Sequence, residues 1–429
     1  MKNEIIFVCS NCGEEYLRWQ GKCDNCGNWN TLKEFRNPKS DIRKSAIRKI
    51  SEPIDLAEVT IKNFGRIKTK IGEFDRVLGG GIVPGSVILL GGDPGIGKST
   101  LLLQVATKLD QVLYVSGEES AQQLKMRFDR LKLNSKTLQV LSDINLAAII
   151  DTTQSKKYKT IIVDSIQTLY SDDFPSTPGS IVQVRECALK LQQLAKTTGI
   201  TVILIGHVTK EGSVAGPRIL EHLVDVVLYL EGEHFHNNRI LRGAKNRFGA
   251  TDEIGIFEMN EGGLIEVTNP SKLFLEERLK NIPGTTVTAT VEGTRSFLVE
   301  VQALTATTVF GYPQRRASGF DLNRLQLLIA VLQKRANLNI SNQDVFINIV
   351  GGVKIKEPAV DLAVALAIAS AFKGKAIDSK FCVFGELGLS GEIRKVTQND
   401  KRVSEAKRLG FNKFVNSKTI EGLIRSEIA

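Results

Sequence analysis

The sequence predicts an α/β chain in three parts: a small cysteine-stapled module, a core built on a parallel sheet, and a C-terminal α+β domain. Three observations carry that reading. Four cysteines crowd into positions 9 to 26; a glycine-rich loop at 92–99 stands between an apolar strand and a helical stretch; and the texture of the chain changes after Asn269-Pro270.

At 429 residues the chain exceeds one ordinary core, because single domains hold on the order of 100 to 200 residues. It divides into a cysteine module at 1–36, a linker at 37–55, the sheet core at 56–270 and the α+β domain at 271–429. With 42% hydrophobic and 24% charged residues the chain is neither disordered nor fibrous. No stretch reaches the ~18 apolar residues of a membrane span and no leader pattern opens the chain, so a cytoplasmic protein with no membrane partner is expected. The formal net charge of +10 weakly favours a polyanionic partner such as nucleic acid.

In the first module the cysteines stand as Cys9-x-x-Cys12 and Cys23-x-x-Cys26. Each short knuckle lets two thiolates reach one ion, and four thiolates close a tetrahedral Zn²⁺ site with no open position, so a structural zinc is expected. Reactive thiols or two disulfides are the alternatives. Cys187 and Cys382 lie alone in apolar surroundings and are expected to be buried, inert thiols. The linker from Asn37 to Pro53 carries Lys39, Arg43, Lys44, Arg48 and Lys49, and reads either as a solvated spacer or as a DNA-contacting segment.

In the core, Ser86–Leu90, Gln111–Ser116, Thr160–Asp164, Thr201–Gly206 and Val224–Leu230 are short apolar runs of the kind buried on both faces of a parallel sheet. After the first of them comes Gly92-Asp93-Pro94-Gly95-Ile96-Gly97-Lys98-Ser99-Thr100, the G-x-x-x-x-G-K-[ST] pattern of a phosphate-binding loop. Its backbone N–H groups surround phosphates, Lys98 neutralises charge on the β- and γ-phosphates, and Ser99 ligates Mg²⁺. Bound ATP with Mg²⁺ is therefore expected. Asp164, closing an apolar strand, fits the second acidic station that orders Mg²⁺. Glu118 and His207 end two other strands on the ligand side, one suited to polarise water and the other to sense the γ-phosphate. The long connections Ser171–Arg185 and Thr209–Glu221 bring Arg185, Lys210 and Arg218 as contacts to a phosphate backbone.

Past Asn269-Pro270 the expected elements are strands at Thr285–Val291 and Phe297–Ala303, helices from Asp321 to about Lys334 and from Ala359 to Phe372, and a strand at Phe381–Phe384.

The order of four-cysteine ribbon, GGDPGIGKST, a strand-terminal Asp164 and then Lys245-Asn246-Arg247-Phe248-Gly249 resembles the bacterial RadA (Sms) family of DNA-repair proteins over essentially the whole chain. KNRFG is that family's signature. The resemblance implies a zinc ribbon, a RecA-like ATPase core and a C-terminal domain like that of Lon protease, of the ribosomal S5 domain 2-like class. It also implies a ring, expected to be a hexamer, that binds single-stranded and branched DNA and acts with the RecA recombinase in branch migration. Lys245 and Arg247 would then reach the nucleotide of a neighbouring subunit. A nucleotide-gated mediator or scaffold without unwinding activity carries the same motifs.

In the Lon-like domain the resemblance puts Ala359, within Glu357-Pro358-Ala359-Val360-Asp361, at the nucleophile, and Asp400 at the partner lysine. A serine–lysine dyad needs a hydroxyl and a deprotonatable amine, and neither is present, while Lys401 and Ser404 are not a matched pair. No peptidase activity is expected. Arg315, Arg316, Arg324, Lys334, Arg335, Lys354 and Lys356 supply a basic surface for double-stranded DNA.

Overall fold

The chain is seen in a computed structural model, which describes residues 5–9, 14–36, 55, 65–174, 176–207, 220–232, 237–309 and 311–428. Cys12, the linker from Asn37 to Pro53, Lys210 and Arg218 lie outside the described residues. Two compact units result, one of residues 1–231, 241–251 and 259–265, the other of 232–240, 252–258 and 266–429.

In the cysteine module Ile5–Cys9 (β1) pairs antiparallel with both Glu15–Tyr16 (β2) and Leu32–Arg36 (β3), setting Phe7 opposite Tyr16 and Cys9 opposite Leu32. Its buried centre is Cys9, Cys23 and Leu32. So small a centre needs a staple to hold it.

The core sheet has nine strands: Val87–Gly92 (β4), Val112–Ser116 (β5), Leu138–Leu141 (β6), Thr160–Asp164 (β7), Thr201–Ile205 (β8), Val226–Glu231 (β9), Asn238–Asn246 (β10), Ile254–Asn260 (β11) and Gly263–Glu266 (β12). They run in the order β12-β11-β10-β9-β4-β8-β7-β5-β6, and β4, β5, β7, β8 and their partners β6 and β9 are joined in parallel. Every residue of β4, β5, β7 and β8 is buried, which is why these strands read as unbroken apolar runs. The helices of this unit are Gly72–Val77 (α1), Lys98–Lys108 (α2), Ala121–Arg130 (α3), Leu146–Ser155 (α4) and Ile181–Thr198 (α5).

The connection read as Ser171–Arg185 ends sooner, because Ser180 caps α5 by accepting from the Gln183 N–H, and Arg185 stands on the exposed side of that helix. Cys187 is fully buried, as expected, and burial pushes its thiol up to about 12.

The second unit folds around a six-stranded sheet, β15-β16-β14-β13-β17-β20. Its strands are Thr285–Glu292 (β13), Arg295–Thr307 (β14), Arg315–Ser318 (β15), Gln343–Ile349 (β16), Phe381–Cys382 (β17) and Lys413–Phe414 (β20), while Glu386–Leu387 (β18) and Ile393–Arg394 (β19) form a separate ribbon. Its helices are Pro270–Leu275 (α6), Leu322–Arg335 (α7), Asp361–Lys373 (α8), Asn399–Arg408 (α9) and Ile420–Glu427 (α10). Helix α8 is apolar nearly all round and buried from Asp361 to Ser370, the pattern of a central core helix.

The basic surface expected of this unit is thinner than its sequence. Arg324 pairs through two nitrogens with the buried Asp361 carboxylate, and Arg315 turns its guanidinium onto the backbone carbonyls of Gln314, Gln343 and Ile340. Both are structural. Arg316, Lys334 and Lys356 remain exposed.

Ala359 is 2% exposed on the 3-10 turn Pro358–Val360, whereas Asp400 is exposed on α9. Between those two elements lies a different pair. The buried Arg402 donates through both terminal nitrogens to Glu357 at 2.9 and 2.6 Å and to the Ala289 carbonyl at 2.6 Å, and Glu357 also accepts from Thr290 and the Val291 N–H. Arg402→Ala is therefore expected to destabilise this unit by about 3–5 kcal/mol, since it strands a carboxylate built to meet a guanidinium. An earlier thermal transition, partly recovered in Arg402→Met/Glu357→Gln, is the result expected; an unshifted transition would show the pair to be idle.

Among the described residues no helix is long and apolar enough to cross a membrane.

Candidate functional site

The site begins where β4 stops. Gly92, at φ 151°, has no room for a side chain, since a Cβ there would lie 2.5 Å from the Leu230 carbonyl oxygen. The chain turns at this residue, exposes Pro94 and Gly95, anchors itself with the buried Ile96, and enters α2 through Gly97. The Lys98 side chain is buried against the loop, its ammonium donating to the carbonyls of Gly92 at 2.8 Å and Asp93 at 2.9 Å. Burial pulls the Lys98 pKa down, while the carboxylates of Asp164, Glu118 and Asp93 push it back up.

The parallel register brings the carboxyl ends of β4, β5, β7 and β8 to one edge, with Ser116 opposite Asp164 and Leu90 opposite Ile205. Ligands of open α/β sheets bind at that edge. Lys98, Glu118, Asp164 and His207 all follow or close these strands, and Glu118 joins two of them, meeting His207 at 3.0 Å and Ser165, the residue after Asp164, at 2.6 Å.

Asp164 is buried, and its Oδ2 accepts from the Tyr114 hydroxyl at 2.7 Å. Burial raises its pKa; Tyr114, and Ser99 beside it, draw it back. Its Oδ1 is buried with no hydrogen-bond partner among the described residues. Glu118 accepts from the Ser165 hydroxyl at 2.6 Å, and His207 Nε2 stands 3.0 Å from the same oxygen. The His207 contact, helped by Ser165 and Lys98 against the opposing effect of burial, pulls the Glu118 carboxyl down to about 2 and keeps it ionised. Gly117 permits this turn, because a Cβ there would lie 1.9 Å from the Thr168 hydroxyl. The neighbouring Glu119 is occupied by Arg127 at 2.5 Å and does not join the cluster.

Beside Thr100 opens a cavity of about 590 Å³, lined by Arg130, Lys132, Met259, Asn260 and Gly263 among others.

Lys245 and Arg247 stand at the opposite end of the sheet. Lys245 donates to the Glu221 carbonyl at 2.7 Å, and Arg247 lies 3.1 Å from Asp225, whose other carboxylate oxygen accepts from the N–H of Val87, the first residue of β4. Five residue steps, from Val87 to Gly92, separate that edge from the phosphate loop, roughly 16 Å at about 3.3 Å per step. Arg66 fixes the turn that follows, donating to the carbonyls of Phe248 at 2.5 Å and Leu78 at 2.7 Å.

In the cysteine module the sulfurs of Cys9, Cys23 and Cys26 lie within 4.8 Å of one another. Cys9 and Cys26 are 3.7 Å apart, beyond the ~2.05 Å of a disulfide and suited to one shared ion.

Family models match in the same three places. The rubredoxin metal-binding domain matches residues 7–34, the AAA domain 55–213, and subunit ChlI of Mg-chelatase 302–419. The DNA repair protein RadA of Bacillus subtilis is 50% identical over 96% of this chain and 92% of its own. The chain belongs to the RadA family. The Listeria monocytogenes RadA agrees, at 50% identity over 98% of this chain and 93% of its own. A KaiC-like protein of Pyrococcus horikoshii, 22% identical, overlays 48% of this chain and all of its own with a TM-score of 0.40.

This RadA-family chain thus carries a metal-binding ribbon, a P-loop ATPase core and a ChlI/Lon-like C-terminal domain. Its core is fitted to a divalent cation: Ser99 and the unpartnered Asp164 Oδ1 offer hard oxygen donors where a bound nucleotide's phosphates would stand. Tyr114, Ser165 and Arg66 carry no sequence signal as site residues, because a strand tyrosine, a serine after an aspartate and an arginine ahead of the first core helix have no distinctive spacing.

Tyr114 yields a prediction of its own. In Tyr114→Phe the Asp164 carboxyl loses a stabilising donor, so its already raised pKa rises further and ionisation is lost at a higher pH. The acid limb of the hydrolysis profile should move upward and the Mg²⁺ requirement should grow roughly tenfold, the worth of one hydrogen bond to a charged group. An unchanged Mg²⁺ titration would show that the phenol only fills space.

Proposed function

We propose that this chain is a cytoplasmic, DNA-dependent ATPase motor that works as a hexameric ring on branched recombination intermediates. With the RecA recombinase it promotes strand exchange and branch migration in recombinational repair. The observation that carries the reading is the division of charge between two edges of one sheet. Lys98, Ser99, Asp164, Glu118 and His207 gather at the carboxyl edge, while Lys245 and Arg247 are held at the other, where they serve a neighbour's nucleotide and not their own.

In this scheme Gly92 to Thr100 enclose the phosphates, Lys98 neutralises charge on the β- and γ-phosphates, and the cavity beside Thr100 receives the base and ribose. Ser99 and Asp164 would hold Mg²⁺, which when bound would neutralise charge developing on the phosphoryl oxygens. Glu118, kept ionised, orients the attacking water, and His207 reads the γ-phosphate through its contact with Glu118. Zn²⁺ on Cys9, Cys12, Cys23 and Cys26 supplies the ribbon's staple. The C-terminal domain binds double-stranded DNA and hydrolyses no peptide, since Ala359 offers no hydroxyl and Asp400 no amine at the positions that the resemblance gives the Lon dyad.

Glu118→Gln should cut hydrolysis by about 10²–10⁴-fold, the usual contribution of a positioned base, while nucleotide affinity stays within a few-fold. Near-normal turnover in that variant would remove the water-orienting role. Steady-state hydrolysis by wild type without DNA, with single-stranded DNA and with double-stranded DNA, at two salt concentrations, tests the motor reading as a whole. A salt-sensitive rise with single-stranded DNA supports it. A rate indifferent to DNA would leave a nucleotide-gated scaffold in its place, and casein degradation would restore the peptidase.

A further inference from the structure

The chain has two tryptophans, Trp19 and Trp29; both stand in the cysteine module, and both are exposed, at 58% and 70%. Ten residues apart in sequence, they flank one glycine: a Cβ on Gly21 would meet the Trp29 ring at 3.6 Å and the Trp19 ring at 3.9 Å. The arrangement is held by backbone. Lys22 bridges to Trp29, and the Asn30 N–H donates to the Gly21 carbonyl at 2.7 Å. The Lys22 ammonium then sits 5.8 Å from the centre of the Trp29 ring.

Neither indole supports the module's interior, which is made of Cys9, Cys23 and Leu32. Leaving both large aromatics in water forfeits the burial that would stabilise so small a fold, so the surface is kept for a partner. The rim favours a polyanion with flat faces. Arg18 and Lys22 are exposed beside the indoles, and Asp24 accepts from the Gln20 amide. The segment that follows, 37–53, carries five basic residues against Asp41 and Glu52. A protein hot spot built on tryptophan is ringed by groups that exclude water, whereas here an exposed ammonium, Lys22, stands over one indole and Arg18 adjoins the other in sequence. Stacking rings with adjacent cations are what binds unpaired bases without regard to sequence.

We infer that Trp19 and Trp29 form a stacking platform for the bases of single-stranded DNA. This rests on the DNA-dependent reading above, and assigns the ribbon a share in strand capture that is separate from its zinc. Arg18 and Lys22 meet the backbone phosphates while the indoles take the bases.

The chain holds no other tryptophan, so its intrinsic emission reports on this surface alone. The zinc-loaded full-length protein is titrated with oligothymidylate while anisotropy of a labelled strand measures total binding. Emission is expected to fall at least about twofold as stacking saturates, together with the anisotropy change. Trp19→Ala and Trp29→Ala should each weaken binding about tenfold, and Trp19→Phe should recover most of it, because a phenyl ring still stacks. Zinc content and DNA-free hydrolysis should stay at wild-type levels in all three, which separates the platform from ribbon folding. Full binding by anisotropy with unchanged emission would overturn the inference and leave the DNA reading standing. No binding in either channel would sink both, and loss of recombinase contact without loss of strand binding in the alanine variants would assign the indoles to a protein.

Discussion

Replacing Lys98 with alanine is expected to lower steady-state ATP hydrolysis by a factor on the order of 10²–10³, with any stimulation by DNA lost in the same step. Two losses combine. In the proposed scheme the side chain is the cation that meets the β- and γ-phosphates, and it also ties the loop together through the carbonyls of Gly92 and Asp93. Lys98→Arg separates them: it keeps the charge but replaces a point donor with a planar fork, and so should recover nucleotide affinity more than turnover. Fluorescent-nucleotide binding and phosphate release, measured on both variants beside wild type, distinguish the terms. Hydrolysis by Lys98→Ala within a few-fold of wild type would mean that the loop is not the working site, whatever its pattern.

How much of this was legible in the sequence depended on how each residue earns its place. The phosphate loop announced itself because only glycine tolerates the approach of Leu230 to Gly92, and because the buried strand before it reads as an unbroken apolar run. Asp164, Glu118 and His207 followed from a rule about strand ends, and the register of β4, β5, β7 and β8 brings them together. Strands β6 and β10 escaped notice because they are only partly buried and mix polar with apolar residues, so no clear period survives. The structural roles of Arg324 and Arg315 are hidden for a different reason. A basic residue looks the same in sequence whether it faces solvent or closes on Asp361 or backbone carbonyls, and only tertiary pairing tells them apart. The pair Glu357–Arg402 was equally hidden, since its members lie 45 positions apart and no motif joins them.

The second large effect concerns Arg247. In Arg247→Ala, hydrolysis should fall by about 10³-fold, the lower part of the range for an arginine that stabilises a transferring phosphoryl group from a neighbouring subunit. Folding should survive, because the side chain is half exposed and Asp225 keeps its bond to the Val87 N–H. Loss of activity alone would not show that the arginine acts across an interface, but mixing does. Lys98→Ala and Arg247→Ala proteins are each nearly inactive, and no subunit in a mixture holds both groups. If each nucleotide is served from within its own chain, mixing restores nothing. If Arg247 serves the next subunit in a head-to-tail ring, about one site in four of an equal mixture pairs an intact Lys98 with an intact Arg247, and hydrolysis should return to about a quarter of wild type. Lys245→Ala should behave in the same way if its bond to the Glu221 carbonyl is exchanged for a neighbour's phosphate on assembly. The physical ground is the roughly 16 Å of strand between Val87 and the phosphate loop, a span that neither side chain can cross within its own chain.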